Sequence, residues 1–136
     1  MSRQPLILGK PFENKVPFSL GVVSSGRMLH TAGITARDAE GNLVGSGDMR
    51  AQVEQCFRNL ADILDAAGAS FADVVKYTIY TTDIALLDST TRDIRHPYFV
   101  DRPASTLIEV SRLIDPGMLV EIEAVVSLDA WGAAAS

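Results

Sequence analysis

Between Gly47 and Gly68 the apolar residues Val53, Cys56, Phe57, Leu60, Ile63, Leu64 and Ala67 recur at three- and four-residue steps. That period lays one apolar stripe along a helix, so an amphipathic helix is predicted there. Asp48 is suited to cap its first turn and Gly68 to adopt the left-handed conformation that ends it, while Glu54 and Arg58 stand one turn apart. Elsewhere the period is two. Phe18–Val23 and Arg27–Thr31 read as short extended runs joined by the turn residues Ser24-Ser25-Gly26, a hairpin. Asp73–Thr82 alternates Val75, Tyr77 and Ile79 with Lys76, Thr78 and Tyr80, a strand with two unlike faces. Thr106–Arg112 and Met118–Leu128 predict two further strands, separated by the turn Ile114-Asp115-Pro116-Gly117. A second helical region reaches Phe99, with Asp83 and Ser89 as candidate caps and Pro97 expected to bend or interrupt it.

The predicted order is ββ, α, β, α, ββ. Two helices cover only one face of a sheet of five or so strands, leaving the other to solvent or to a second subunit. In the last strand Val120, Ile122, Ala124 and Val126 share the side expected under the helices, and Glu121, Glu123 and Val125 share the other. A mixed face of that kind suits a subunit interface, so oligomerisation is expected. No repeat, low-complexity segment or linker interrupts the chain. Residues 1–136 read as one domain, with the small-residue tail Trp131–Ser136 expected to fray.

Composition narrows the classes of function. A chain of 136 residues with 47% hydrophobic and 21% charged residues is an ordinary globular domain. Lys and Arg total 12 against 17 Asp and Glu, a net charge of −5, and no basic run exists, so nucleic acid is not an expected partner. The single cysteine, Cys56, excludes an internal disulfide and a cysteine-rich zinc site. Its place in the helical stripe marks it as a small buried apolar residue. No 18-residue apolar run is present, and Met1–Lys10 lacks the basic start and apolar stretch of a signal peptide. A cytoplasmic location away from membranes is therefore expected.

Nucleophilic constellations find little support. There are two histidines, His30 and His96, and no G-x-S-x-G elbow surrounds a serine. His30 reads as a partly buried strand residue and His96, beside Arg92 and Arg95, as part of a solvated helix face. Two isolated histidines do not make a metal site, and Gly45-Ser46-Gly47 does not complete a phosphate-binding G-x-G-x-x-G. Arg37–Asn42 is a polar turn. Glu121 and Glu123 are more informative, because a carboxylate among Val and Ile is either exposed on an edge or buried and paired. A buried one acquires the raised pKa of a general acid or base.

The run Arg102-Pro103-Ala104-Ser105-Thr106-Leu107-Ile108-Glu109-Val110-Ser111-Arg112-Leu113, followed by Val120-Glu121-Ile122-Glu123-Ala124, resembles the C-terminal signature of the RidA/YjgF family. Gly21-Val22, Leu29-His30-Thr31-Ala32-Gly33 and the turn at Gly41 fit that family's opening hairpin and loop. Gln52–Gly68 fits its first helix, and Val74-Val75-Lys76 opens its third strand. The resemblance spans about residues 14–128. It implies an α+β, chorismate-mutase-like two-layer fold, a mixed β-sheet with two helices packed on one face. It also implies a homotrimer with a small-molecule ligand in each inter-subunit cleft. Members of the family hydrolyse reactive enamines and imines, such as 2-aminoacrylate and its imine tautomer, to 2-keto acids and ammonia, and no cofactor is expected. An older label for the family, endoribonuclease or translation inhibitor, fits poorly with a net charge of −5 and no basic stripe.

The resemblance implies a catalytic role for Glu121, at the position of the family's water-associated glutamate. It implies a substrate-binding surface from Phe18, Ala32, Gly33, Ser105, Thr106 and Leu107. Several of these depart from the family pattern. Phe18 stands where a tyrosine is usual, Ala32 where a serine is common, and Leu107 where a cysteine is frequent. Ser105 occupies the position of the arginine that clamps the substrate carboxylate. A serine offers one neutral hydrogen bond where arginine offers a charged fork. Losing such a clamp typically costs a few kcal/mol, roughly two orders of magnitude in binding. The chain thus resembles the arginine-lacking branches of the family, and 2-iminopropanoate is not its expected substrate. Arg92, on the second helix, is the candidate replacement, with Arg95 and Arg102 nearby in sequence. The alternative function is a non-catalytic metabolite-binding or sensor protein on the same trimeric scaffold.

Overall fold

A computed structural model of the chain describes residues 3–128; the tail Trp131–Ser136 lies outside the described residues. Three short strands, β1 (Arg3–Pro5), β2 (Val22–Ser24) and β3 (Met28–His30), precede helix α1 (Met49–Ala66). Strand β4 (Val74–Thr81), helix α2 (Ile84–Arg95), β5 (Ala104–Glu109) and β6 (Val120–Ser127) follow. The main sheet has the order β3-β6-β4-β5. Strands β4 and β5 run parallel, whereas β6 is antiparallel to both β3 and β4, so the sheet is mixed.

Helix α1 begins where Asp48 accepts a hydrogen bond from the Ala51 N–H at 3.1 Å and ends at Gly68, whose φ is +71°. Its stripe of Val53, Cys56, Phe57, Leu60 and Leu64 is buried against Tyr77 and Ile79 of β4 and Val120, Ile122, Ala124 and Val126 of β6. Phe57 organises the aromatic part of this core. It stacks on Tyr98 with ring centroids 4.0 Å apart and meets Tyr77 edge-on at 6.0 Å. Such pairs add about 0.5–1.5 kcal/mol each beyond area burial. Gln52, fully buried on α1, donates to the carbonyls of Gly45 and Gly117 and accepts from the Leu119 N–H, each at 2.8 Å. That one side chain ties the helix to the loop before it and to the turn before β6.

The open face of the sheet carries Lys76, Thr78 and Tyr80 of β4 beside Glu121, Glu123 and Val125 of β6. Tyr80 donates to Glu123 across the strands at 2.8 Å. β5 is an edge strand, so alternate backbone groups along it point away from the sheet.

Several expectations need correction. The two runs flanking Ser24-Ser25-Gly26 are shorter than expected and do not form a paired hairpin: β2 pairs with β1, and β3 pairs with β6. Phe18 lies in the irregular segment before β2, not in a strand. Strand β5 ends at Glu109, three residues early. Ser89 lies inside α2, where its hydroxyl reaches back to the Leu86 carbonyl, and Asp83 alone caps the helix, accepting from Leu86 N–H. Pro97 ends α2 and opens a 3-10 turn, His96–Phe99. His30 is exposed rather than partly buried, because β3 is an edge strand and the residue faces outward at its end.

Candidate functional site

The family-derived residues divide between the two faces of the sheet. Ser105 and Leu107 are in register with buried Tyr77 and Ile79, so they point to the helix side. Thr106, between them, pairs with Thr78 on the open side. Ser105 and Leu107 help line a cavity of about 950 Å³ beneath α2 and the segment before β2. Phe18 forms one wall. Its position is set by a backbone staple, in which the Ser19 N–H donates to the Pro103 carbonyl at 2.9 Å and the Ser19 hydroxyl donates to the Arg102 carbonyl.

Three arginines reach the cavity, and their states differ. Arg102 sits at φ +54°, an uncommon conformation for a non-glycine residue. Its guanidinium is consumed by the carbonyls of Val16, Glu13 and Phe18 at 2.8–3.0 Å, so it holds the segment that carries Phe18. Arg92 is exposed and grips Asp88 with two bonds, at 2.9 and 2.6 Å. Arg95, one turn further on, is half-buried, with a side chain 14% exposed. It donates to Thr91 Oγ1 at 3.0 Å and reaches Asp88 only at 3.5 Å. Burial pulls its pKa below the ordinary value, partly offset by Asp88.

Glu121 is on the open face, in register with Tyr80. Its carboxylate lies directly against Gly33: a β-carbon at position 33 would overlap Glu121 Oε1 and stand 2.8 Å from its Cδ. Ala32 and Gly33 are exposed where the chain leaves β3, held by Thr31 N–H donating to Ala124 at 3.0 Å and Ile34 N–H donating to Ile122 at 2.8 Å. Glu121 forms no hydrogen bond or ion pair with another described residue. Ser105 and Glu121 do not meet within one chain. They are three rungs and two strands apart on opposite faces, on the order of 14 Å between backbones.

Arg95, weighed beside Arg92 and Arg102 as a replacement cation, lines the cavity, and so do Asp88 and Lys15, which the sequence reading does not single out. The spacing of Asp88, Thr91, Arg92 and Arg95 places them on one helix surface, which is the signal a sequence carries for such a cluster. Burial, with the Glu121 charge adding to it, pushes the Cys56 thiol up to about 12, so no thiolate is available. Among the described residues no group of three His, Cys, Asp or Glu side chains is placed to hold a metal ion. No helix among them is long and apolar enough to cross a membrane.

Residues 10–128 match the profile of the family described as Endoribonuclease L-PSP. A RutC family protein of Pyrococcus abyssi is 34% identical over 119 residues, covering 84% of this chain and 92% of its own length. The human 2-iminobutanoate/2-iminopropanoate deaminase is 32% identical over 116 residues, covering 82% of this chain and 83% of its own. In three dimensions a Yersinia pestis protein of the conserved Rid family aligns with a TM-score of 0.82 and 35% identity, over 93% of this chain and 99% of that one. The Escherichia coli YjgF product aligns at 0.63 and 27%, over 93% and 94%. The two helices packed on a mixed sheet are the chorismate-mutase-like arrangement of these neighbours, and with the matching signature from Arg102 to Ala124 they make this chain a member of the RidA/YjgF family.

Proposed function

We propose that the protein is a cofactor-free hydrolase of small reactive enamines or imines, working as a cytoplasmic homotrimer with its substrate in a cleft between subunits. The observation that carries this reading is the Glu121 carboxylate, unpaired and set against Gly33 on the uncovered face of the sheet. Glu121 takes a proton from water as the water oxygen adds to the imine carbon. Glu121 returns that proton to the former imine nitrogen, giving the carbinolamine; it then takes the hydroxyl proton and passes it to the amino group as the C–N bond breaks, releasing a keto compound and ammonia. Overall, one imine and one water give one ketone and one ammonia. Backbone N–H groups along the edge strand β5, around Ser105–Leu107, supply donors to the developing charge. The separation of Ser105 from Glu121 supports a trimer, because Ser105 of one subunit can approach Glu121 of another where they cannot meet in one chain.

The test is imine hydrolysis, measured with the imines generated in place by an amino-acid oxidase from several amino acids. Glu121→Ala is expected to lower turnover by at least 100-fold while leaving the oligomer intact. Unchanged turnover removes Glu121 from the chemistry. If the wild type turns over no imine yet binds small metabolites, the replacement of the family arginine by Ser105 has left a binding or sensor protein on the same scaffold.

A further inference from the structure

Resting on the proposed hydrolase, with the cavity beside Ser105 and Leu107 as this chain's share of its inter-subunit cleft, we infer that Arg95 is the anion clamp of this chain, and that the ligand is a carboxylate with an apolar body. The two conclusions come from different observations. Lys15, Arg92, Arg95 and Arg102 reach the cavity against a single carboxylate, Asp88. Four cations facing one anion is a locally positive chamber in a chain whose net charge is −5. Low-dielectric walls focus such a field and concentrate anions within it.

Of the three arginines, Arg95 alone combines partial burial with spare donors. The Arg102 guanidinium is spent on three backbone carbonyls, and Arg92 lies in solvent with its fork closed on Asp88. Arg95 has five N–H donors to place and is 14% exposed. Among the described residues it has one good bond, from Nε to Thr91, and one long contact to Asp88. The spare N–H groups of this half-buried guanidinium stay accessible from the cavity, so a ligand anion can take them without displacing an existing bond. Two coplanar oxygens of a carboxylate fit its free edge as a bidentate, charge-assisted pair. The remaining wall is apolar, with Phe18, Phe99, Val100 and Leu107. A cavity of about 950 Å³ is far larger than a three-carbon acid requires and accommodates an aromatic or branched side chain. The charge lost from the strand at Ser105 is thus supplied from the helix that covers it.

The experiment compares phenylpyruvate with phenylacetone, a neutral ketone of nearly the same shape, by calorimetric titration of the full chain. The wild type is expected to bind phenylpyruvate at least tenfold more tightly. Arg95→Gln reduces that preference below about threefold, Arg95→Lys restores part of it, and Arg58→Ala, a surface charge control on α1, leaves it in place. Equal binding of the two probes by the wild type overturns the inference. So does an unchanged preference in Arg95→Gln, or its loss in Arg92→Ala alone. If Arg95→Gln does not fold, the wild type decides: the Arg95 Nε–H resonance, assigned with the Arg95→Lys spectrum, must shift on saturation with phenylpyruvate, and a stationary resonance overturns the proposal. Failure of the hydrolase reading looks different, as phenylpyruvate binding through Arg95 without turnover of any imine. Conversely, imine turnover with an unchanged KM in Arg95→Gln removes the clamp and leaves the hydrolase.

Discussion

A side chain at position 33 would have to share space with the Glu121 carboxylate, whose Cγ lies 3.1 Å from where a β-carbon would stand. The obstruction is the far end of a flexible side chain, so the protein yields by swinging Glu121 aside. Gly33→Ala is therefore expected to change stability by less than about 1 kcal/mol. The same substitution should lower imine turnover at least tenfold, since a displaced general base loses its alignment with water. Thermal melting and turnover measured on the same preparation check the two halves. A stable, fully active Gly33→Ala would mean that the closeness of Gly33 and Glu121 has no part in catalysis. Position 105 carries the complementary lesson. Its serine reads in sequence as a missing charge, and only the register of β5 against β4 reveals that it faces a chamber walled by arginines from elsewhere.

At the level of elements, Gln52 is the junction through which α1 holds two loops. Gln52→Leu keeps the volume but leaves the Gly45 and Gly117 carbonyls and the Leu119 N–H without their partner. A loss of about 2–4 kcal/mol is expected in denaturant unfolding, larger than the typical surface change. Wild-type stability in that variant would show that other groups take over these bonds. Legibility from sequence follows the range of the forces involved. Helix α1 is readable because its stripe, its Asp48 cap and Gly68 all lie within the segment they define. The faces of β4 and β6 are readable because alternation is local. The hairpin expectation fails because strand partners are chosen across the chain: nothing near Arg27–Thr31 announces that β3 will pair with β6. Strand β1 escapes notice for a similar reason, since it is anchored by the Arg3 guanidinium donating to the Val74 and Asp101 carbonyls, each at 2.7 Å. The family signature singles out both Glu121 and Gly33, which the structure places in direct contact. It does not single out Arg95, because its selection over Arg92 and Arg102 depends on which donors are already used.

For the whole molecule, the proposed trimer gives a mass of about 44 kDa, three times 14.6 kDa, in light scattering after gel filtration. A single-chain mass at working concentrations would leave Ser105 and Glu121 with no means of meeting. Such an assembly carries three times the −5 charge of the chain while each cavity gathers cations. The central place of β6 has a consequence for how the chain comes into being. β6 lies between β3 and β4 and brings both Glu121 and the Gly33 contact with it. A nascent chain emerged as far as Leu119 has β4 paired only with β5, while β3 waits for a partner almost a hundred residues downstream. Neither the complete sheet nor the Glu121 carboxylate proposed for catalysis exists at that stage of synthesis. The proposed catalytic residue therefore arrives with the strand that closes the fold, so no long-lived partly made species carries the proposed site.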